Sequence, residues 1–150
     1  MRQRGFTFVE ILIVMVLIGI IASLGIPRIR GAIYAQNVRS ARVLAGTLVV
    51  KARAAAIQRG CASAVHFTSG TAGKVWVTTC KPNSSVGLDT LGGLESIAAR
   101  YSVTFSPSSD SVRYMPNGLA LNNNAGTTLK FVSSTYSDSV VINSVGKVVR

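Results

Sequence analysis

Negative charge is scarce in this sequence. Five Asp and Glu stand against 16 Lys and Arg in 150 residues, for a formal net charge of +11. From Arg28 onward, 14 basic residues meet only Asp89, Glu95, Asp110 and Asp138, which share no spacing. The stretch SPSSDSV around Asp110 holds one carboxylate, too few for a calcium site built from roughly six to eight oxygens. Histidine is also scarce: His66 is the only one, beside two cysteines, Cys61 and Cys80. Three such residues make a poor zinc set. No metal and no cofactor is expected. There is no P-loop, no Gly-x-Ser-x-Gly and no pair of metal ligands at a working interval. His66 falls in mid-strand, on a hairpin face expected to hold Ala62, Ala64, Val75 and Val77, which suits a packed or surface imidazole better than a base. The chain reads as a non-enzyme.

What the sequence does have is one long apolar run, Phe6 to Ile26, whose polar side chains are Thr7, Glu10 and Ser23. At about 1.5 Å per residue it is long enough as a helix to cross roughly 30 Å of hydrocarbon. It is longer than a usual signal core, and no Ala-x-Ala site ends it. The run is therefore expected to stay on the protein as a span. Glu10 is the anomaly, because an ionised carboxylate in hydrocarbon is costly. It can snorkel to the nearby interface or find a positive partner. The basic surplus likewise leaves two readings open, contact with acidic neighbours or with a polyanion.

The opening RGFTFVEILIVMVLIGIIASLGIP resembles the signature of type IV pilins and type II secretion pseudopilins. A short basic leader ends in Gly5, and Phe6, Glu10, an unbroken apolar helix and Pro27 follow. The resemblance implies cleavage after Gly5 by a prepilin peptidase, N-methylation of Phe6, and a filament-assembly role for Glu10 and Pro27. It implies a single-pass protein of the bacterial inner membrane with a periplasmic carboxy-terminal domain, which later joins a pilus or pseudopilus. Its partners would be the peptidase, the membrane and other pilins in a helical filament. In a bundle of such helices Glu10 can face the positive amino terminus of Phe6, offsetting much of its desolvation cost.

The organisation expected is a leader at 1–5, a span at 6–26, an amphipathic continuation of the helix at 27–60 and a β-rich globular domain at 61–150. This is an α+β pilin fold: one long helix packed on an antiparallel sheet or sandwich. Pro27 should kink or loosen the helix, and Gly60 should stop it. At 100° per residue, Arg28, Arg39, Arg42 and Arg53 fall within about 60° of one another, opposite Ile33, Ala41, Leu44, Leu48 and Ala55. Strands are expected in CASAVHFT, KVWVTTC, YSVTFS, SVRYM, GLALN, TTLKFV, SVVIN and KVVR. The stretch KPNSSVGLDTLGGLESIAAR reads as a loop, with a short helix near Leu94 to Ala99.

A hairpin centred on Gly70 and Thr71 pairs residues whose numbers sum to 141, which sets Val65 against Trp76 and Cys61 against Cys80. Opposed positions can meet the short Cβ separation of a disulfide, and the periplasm is oxidising. A bridge there would stabilise by about 3 kcal/mol in the chain-entropy account; free thiols or a metal pair are the alternatives. The later region is similar to the GspH/FimT group of minor pilins and pseudopilins. Some FimT-like pilins act in DNA uptake through a carboxy-terminal Gly-Arg-x-Arg, for which this chain has Gly146-Lys147-Val148-Val149-Arg150. Lys147, Arg150, Arg113, Lys130 and Arg100 are the candidate DNA-binding residues, with Lys74 and Lys81 on the hairpin. The first reading is a structural minor pilin or pseudopilin that initiates or tips a filament. The second is a minor pilin that binds double-stranded DNA in an uptake pilus.

Overall fold

The structure, a computed structural model, describes residues 7–81, 87–121, 123 and 125–149. It divides into two units, Met1–Tyr34 and Ala35–Arg150. One helix, α1 (Phe8–Arg59), supplies the described part of the first and opens the second. The helix continues through Pro27; the proline forfeits one donor, and the turns on either side carry the helix on. Gly60, in the left-handed region at φ 63°, ends it as expected.

In the first unit the apolar side chains are exposed from Phe8 to Leu24, apart from the half-buried Ala22. This helix is long and apolar enough to cross a membrane, and nothing in its most apolar window is buried by the chain itself. Such a surface needs lipid or other helices to cover it.

The second unit carries two antiparallel sheets. β1 (Ser63–Phe67), β2 (Val75–Cys80), β3 (Leu88–Thr90), β5 (Ser111–Tyr114) and β6 (Ala120–Leu121) form one, in the order β3-β2-β1-β5-β6. β4 (Thr104–Pro107), β7 (Thr127–Ser133), β8 (Tyr136–Ile142) and β9 (Val148–Val149) form the other, in the order β4-β7-β8-β9. A short helix, α2 (Ile97–Tyr101), precedes β4. Strand alternation sends one face of each sheet inward: Val75 and Val77 from β2, Leu129 and Phe131 from β7. These join Val38, Ala41, Ala45, Val49 and Ala52 of α1 in one core. Phe105 stacks on Phe131 at 5.1 Å and meets Phe67 edge-on at 6.2 Å.

Four expectations change. The hairpin register sums to 142, with Val65 opposite Val77 and Phe67 opposite Val75. Thr68 and Lys74 close the connection, Thr68 N–H donating to Lys74 O at 2.9 Å and Lys74 N–H to Thr68 Oγ1 at 2.8 Å. An odd number of residues then remains in the turn, which flips the parity of the facing pairs. Second, the buried face of α1 is centred about 60° round from the expected one. Val38, Ala45, Val49 and Ala56 belong to it, while Ile33 is exposed. Third, β3 lies inside the stretch read as loop. It is a short edge strand whose Asp89 accepts from Arg59 Nη1 at 3.0 Å. Fourth, the short helix sits at Ile97–Tyr101 rather than Leu94–Ala99.

Candidate functional site

The start of α1 is capped by its own sequence. Thr7 precedes the first helical residue, and its Oγ1 accepts from Glu10 N–H at 3.2 Å. Thr7-Phe8-Val9-Glu10 has the Thr-x-x-Glu spacing of a capping box, a signal present in the sequence and passed over there. Glu10 is exposed in the first turn, where a helix amino terminus favours negative charge. Gly5 and Phe6 lie outside the described residues.

Cys61 and Cys80 form a disulfide, with Cα atoms 6.3 Å apart. They are not the opposed ladder pair that the sequence suggested. Cys80 pairs with Leu88 on its other side, and Cys61 lies in the link before β1. The bridge therefore closes diagonally, at the open end of the hairpin. Arg59 Nη1 donates to Cys80 O at 2.6 Å and to Asp89 Oδ2 at 3.0 Å, tying the last turn of α1 to the same corner.

The basic residues do not gather. Arg100 lies on α2 and pairs with Glu95 at 3.4 Å. Arg113 is exposed on β5, Lys130 on β7 between Ser106 and Ser139, and Lys147 just before β9. Arg150 lies outside the described residues. On α1, Arg42 flanks the buried face rather than opposing it, and it pairs with Asp138 of β8 at 3.0 Å. Asp89, Glu95 and Asp138 are thus each held by an arginine of the chain itself. Lys130, Lys147 and Arg113 have no ion pair among the described residues.

Lys147 is presented by a tight turn. Gly146 N–H donates to Asn143 O at 2.8 Å, and Lys147 N–H to Asn143 Oδ1 at 2.7 Å. Gly146 has φ 82° and its carbonyl accepts from the buried Tyr114 hydroxyl at 2.9 Å. Burial pushes the Tyr114 pKa up to about 12, against a smaller opposing effect of Arg53. Behind the turn, Asn123 Nδ2 donates to Asn143 O at 2.6 Å and Ile142 O at 3.2 Å, and its Oδ1 accepts from Thr127.

The outer face of the five-stranded sheet holds a depression of about 340 Å³. The true register places Trp76 and Thr78, not Val75 and Val77, beside His66 and Ala64. The His66 ring stacks on Trp76 at 5.1 Å, and His66 Nε2 and Thr78 Oγ1 share a hydrogen bond of 2.8 Å. Desolvation lowers the imidazole pKa below its ordinary value, and the Arg113 charge lowers it further. The unfolded chain takes up this proton near about pH 6.5, the folded chain only at lower pH. Acidification below about 6.5 therefore favours unfolding until the folded ring also protonates. Imidazole proton NMR on this single histidine should show a pKa below the free value, moved upward in Arg113→Gln. An unshifted titration in both proteins would refute the contact.

Residues 1–26 match the prokaryotic N-terminal methylation motif, and residues 41–146 match the family described as type II transport protein GspH. No curated protein is similar enough in sequence to count as a relative. Among solved structures, the type IV minor pilin FimU of Pseudomonas aeruginosa aligns with a TM-score of 0.59 at 12% identity. That alignment covers 75% of this chain and 87% of FimU. A second crystal form of FimU aligns with a TM-score of 0.55 at 12% identity, over 73% of this chain and 89% of the other. At that identity the likeness is one of fold.

Proposed function

Because the chain belongs to the type II transport protein GspH family, we propose that it is a minor pilin or pseudopilin that initiates or tips a type IV pilus or type II secretion pseudopilus. The observation that carries this is the helix whose apolar side chains the chain leaves uncovered, with one carboxylate in its first turn. In the membrane lipid covers that surface; in a filament, neighbouring helices do. A prepilin peptidase cuts after Gly5 on the cytoplasmic side, the new Phe6 amine is methylated, and Ala35–Arg150 faces the periplasm. The Phe6 amine of the same or a neighbouring subunit neutralises Glu10. Pro27 adapts the helix to its neighbours. The role is structural rather than catalytic.

Mass spectrometry of the protein from cells checks the first step. The expected amino-terminal peptide begins at N-methyl-Phe6. A working protein that keeps Met1 would overturn the reading.

A second reading has one observation in its favour. Three of the four acids beyond the span are neutralised by arginines of the chain itself, leaving Lys74, Lys81, Arg113, Lys130 and Lys147 without an ion pair among the described residues. These unpaired cations, though spread over both sheets, suit the phosphates of double-stranded DNA, as in a minor pilin of an uptake pilus. Binding should then weaken linearly in log–log plots against salt. Lys130→Glu with Lys147→Glu should reduce that slope by about two. No binding at low salt removes this reading.

A further inference from the structure

We propose that the depression on the outer face of the five-stranded sheet, between His66, Thr78, Ser111 and Arg113, binds an acidic side chain of a protein partner. Two cross-strand rows build it. Thr78, Ala64 and Arg113 stand side by side on β2, β1 and β5; Trp76, His66 and Ser111 form the next row. Ala64 is the smallest member and sits in the middle, outward-facing yet only 7% exposed. Strands lie about 4.8 Å apart, so Thr78 and Arg113 stand about two spacings from each other with a methyl floor between them. That leaves room for one carboxylate side chain at the centre.

The walls specify its chemistry. Arg113 is exposed and has no ion pair among the described residues. A guanidinium recognises a carboxylate through paired N–H donors. Ser111 adds a hydroxyl donor beside it. The His66 ring closes one end, backed by Trp76, on which it stacks, and held by the Thr78 hydrogen bond. Leu88, 69% exposed on β3, gives the opposite rim an apolar contact. A carboxylate flanked by an aliphatic residue therefore fits both the charge and the rim.

The chain offers little of its own to fill the site. Asp89, Glu95 and Asp138 are engaged by Arg59, Arg100 and Arg42, and Asp110, exposed beside Ser111, does not line the depression. A nucleic-acid backbone matches less well. It is tracked by several cations along a groove, whereas this depression presents one cation above an apolar floor. The inference stands apart from the filament reading, since it concerns only this sheet face. It competes with the DNA reading for Arg113.

The single tryptophan, stacked on the lining His66, reports the site through that ring. Full-length protein in detergent is titrated with acetyl-Leu-Glu-Leu-amide while Trp76 fluorescence and the His66 imidazole resonances are followed. The expected result is a saturable change in both, with a millimolar dissociation constant, and none with acetyl-Leu-Gln-Leu-amide. Arg113→Gln and Ala64→Leu should each weaken binding about fivefold or more, the first by removing charge and the second by filling the floor. Lys130→Gln should leave it unchanged. The proposal is overturned by the absence of a saturable response, or by an equal response to the glutamine peptide. It is equally overturned if inorganic phosphate or a short DNA duplex perturbs Trp76 as strongly as the acidic peptide.

Discussion

Gly146→Ala is expected to destabilise the Ala35–Arg150 unit by about 2–4 kcal/mol. Two causes add. The backbone at Gly146 is left-handed, at φ 82°, which costs a side chain roughly 1–2 kcal/mol. The new methyl would also meet the Tyr114 ring at Cε1 and lie 2.8 Å from Ala120 Cβ. Tyr114 is fully buried and its hydroxyl is bonded to Gly146 O, so the ring cannot simply swing away. Overpacking of this kind costs typically 1–3 kcal/mol. Thermal unfolding of the full chain in detergent should show a midpoint lower by about 10 °C or more. Lys147→Gln, one residue on and exposed, should stay within about 0.5 kcal/mol of the parent. A wild-type midpoint for Gly146→Ala would show that the turn relaxes freely. If it does not, any loss of polyanion binding on changing this glycine reflects folding, and only Lys147 reports on contact.

Glu10→Ala should enter the membrane normally and be almost absent from filaments. The pairing proposed for Glu10 places its carboxylate in a dry helix bundle, opposite the Phe6 amine. Removing one partner of such a pair costs about 3–5 kcal/mol, because the other charge is left buried alone. That corresponds to a drop of about a hundredfold or more in assembly. The Thr7 cap supplies a rival account, in which Glu10 serves the helix start through the Thr-x-x-Glu motif. Glu10→Gln separates the two, since glutamine can still complete a capping box but carries no charge. Immunoblots of sheared filaments against membrane fractions give the readout. Glutamine at wild-type level in filaments would leave the cap as the role of Glu10 and end the charge-pairing proposal.

The elements that local pattern controls were legible. The apolar run, the stop at Gly60 and eight of the strand segments follow from composition, alternation and turn residues. What failed was set by distant contacts. The hairpin parity could not be counted because Gly70 bridges to Phe105 of the other sheet, its N–H donating to Phe105 O at 2.8 Å. That bridge, with the Thr68–Lys74 closure, fixes a turn that the sequence allows at two lengths. The disulfide survived the error because its sulfurs lie past the ladder and reach diagonally. The slip of one residue did hide the site. With Val75 and Val77 beside His66 the face looks apolar; with Trp76 and Thr78 there it becomes a stacked, hydrogen-bonded wall. The arginines of α1 were misjudged for a similar reason. The partner of Arg42, Asp138, lies about a hundred residues on, and no helical periodicity anticipates it. β3 was missed because Leu88–Thr90 is too short to alternate and is held by Arg59 from another element.

The corner where Arg59, Cys61 and Cys80 meet also decides how the unit bears tension. Once the core packing of α1 from Val38 to Ala56 gives way, a pull along the helix arrives at the beginning of β1 through Gly60 and Cys61, and at the end of β2 through the disulfide. Both strands are loaded together at the same end, so the ladder between them is not sheared. The strain passes outward to the β1–β5 and β2–β3 ladders. Residues 61–80 sit inside a covalent loop and cannot lengthen under traction. A subunit drawn taut from its amino-terminal helix would therefore yield elsewhere before this hairpin unravels.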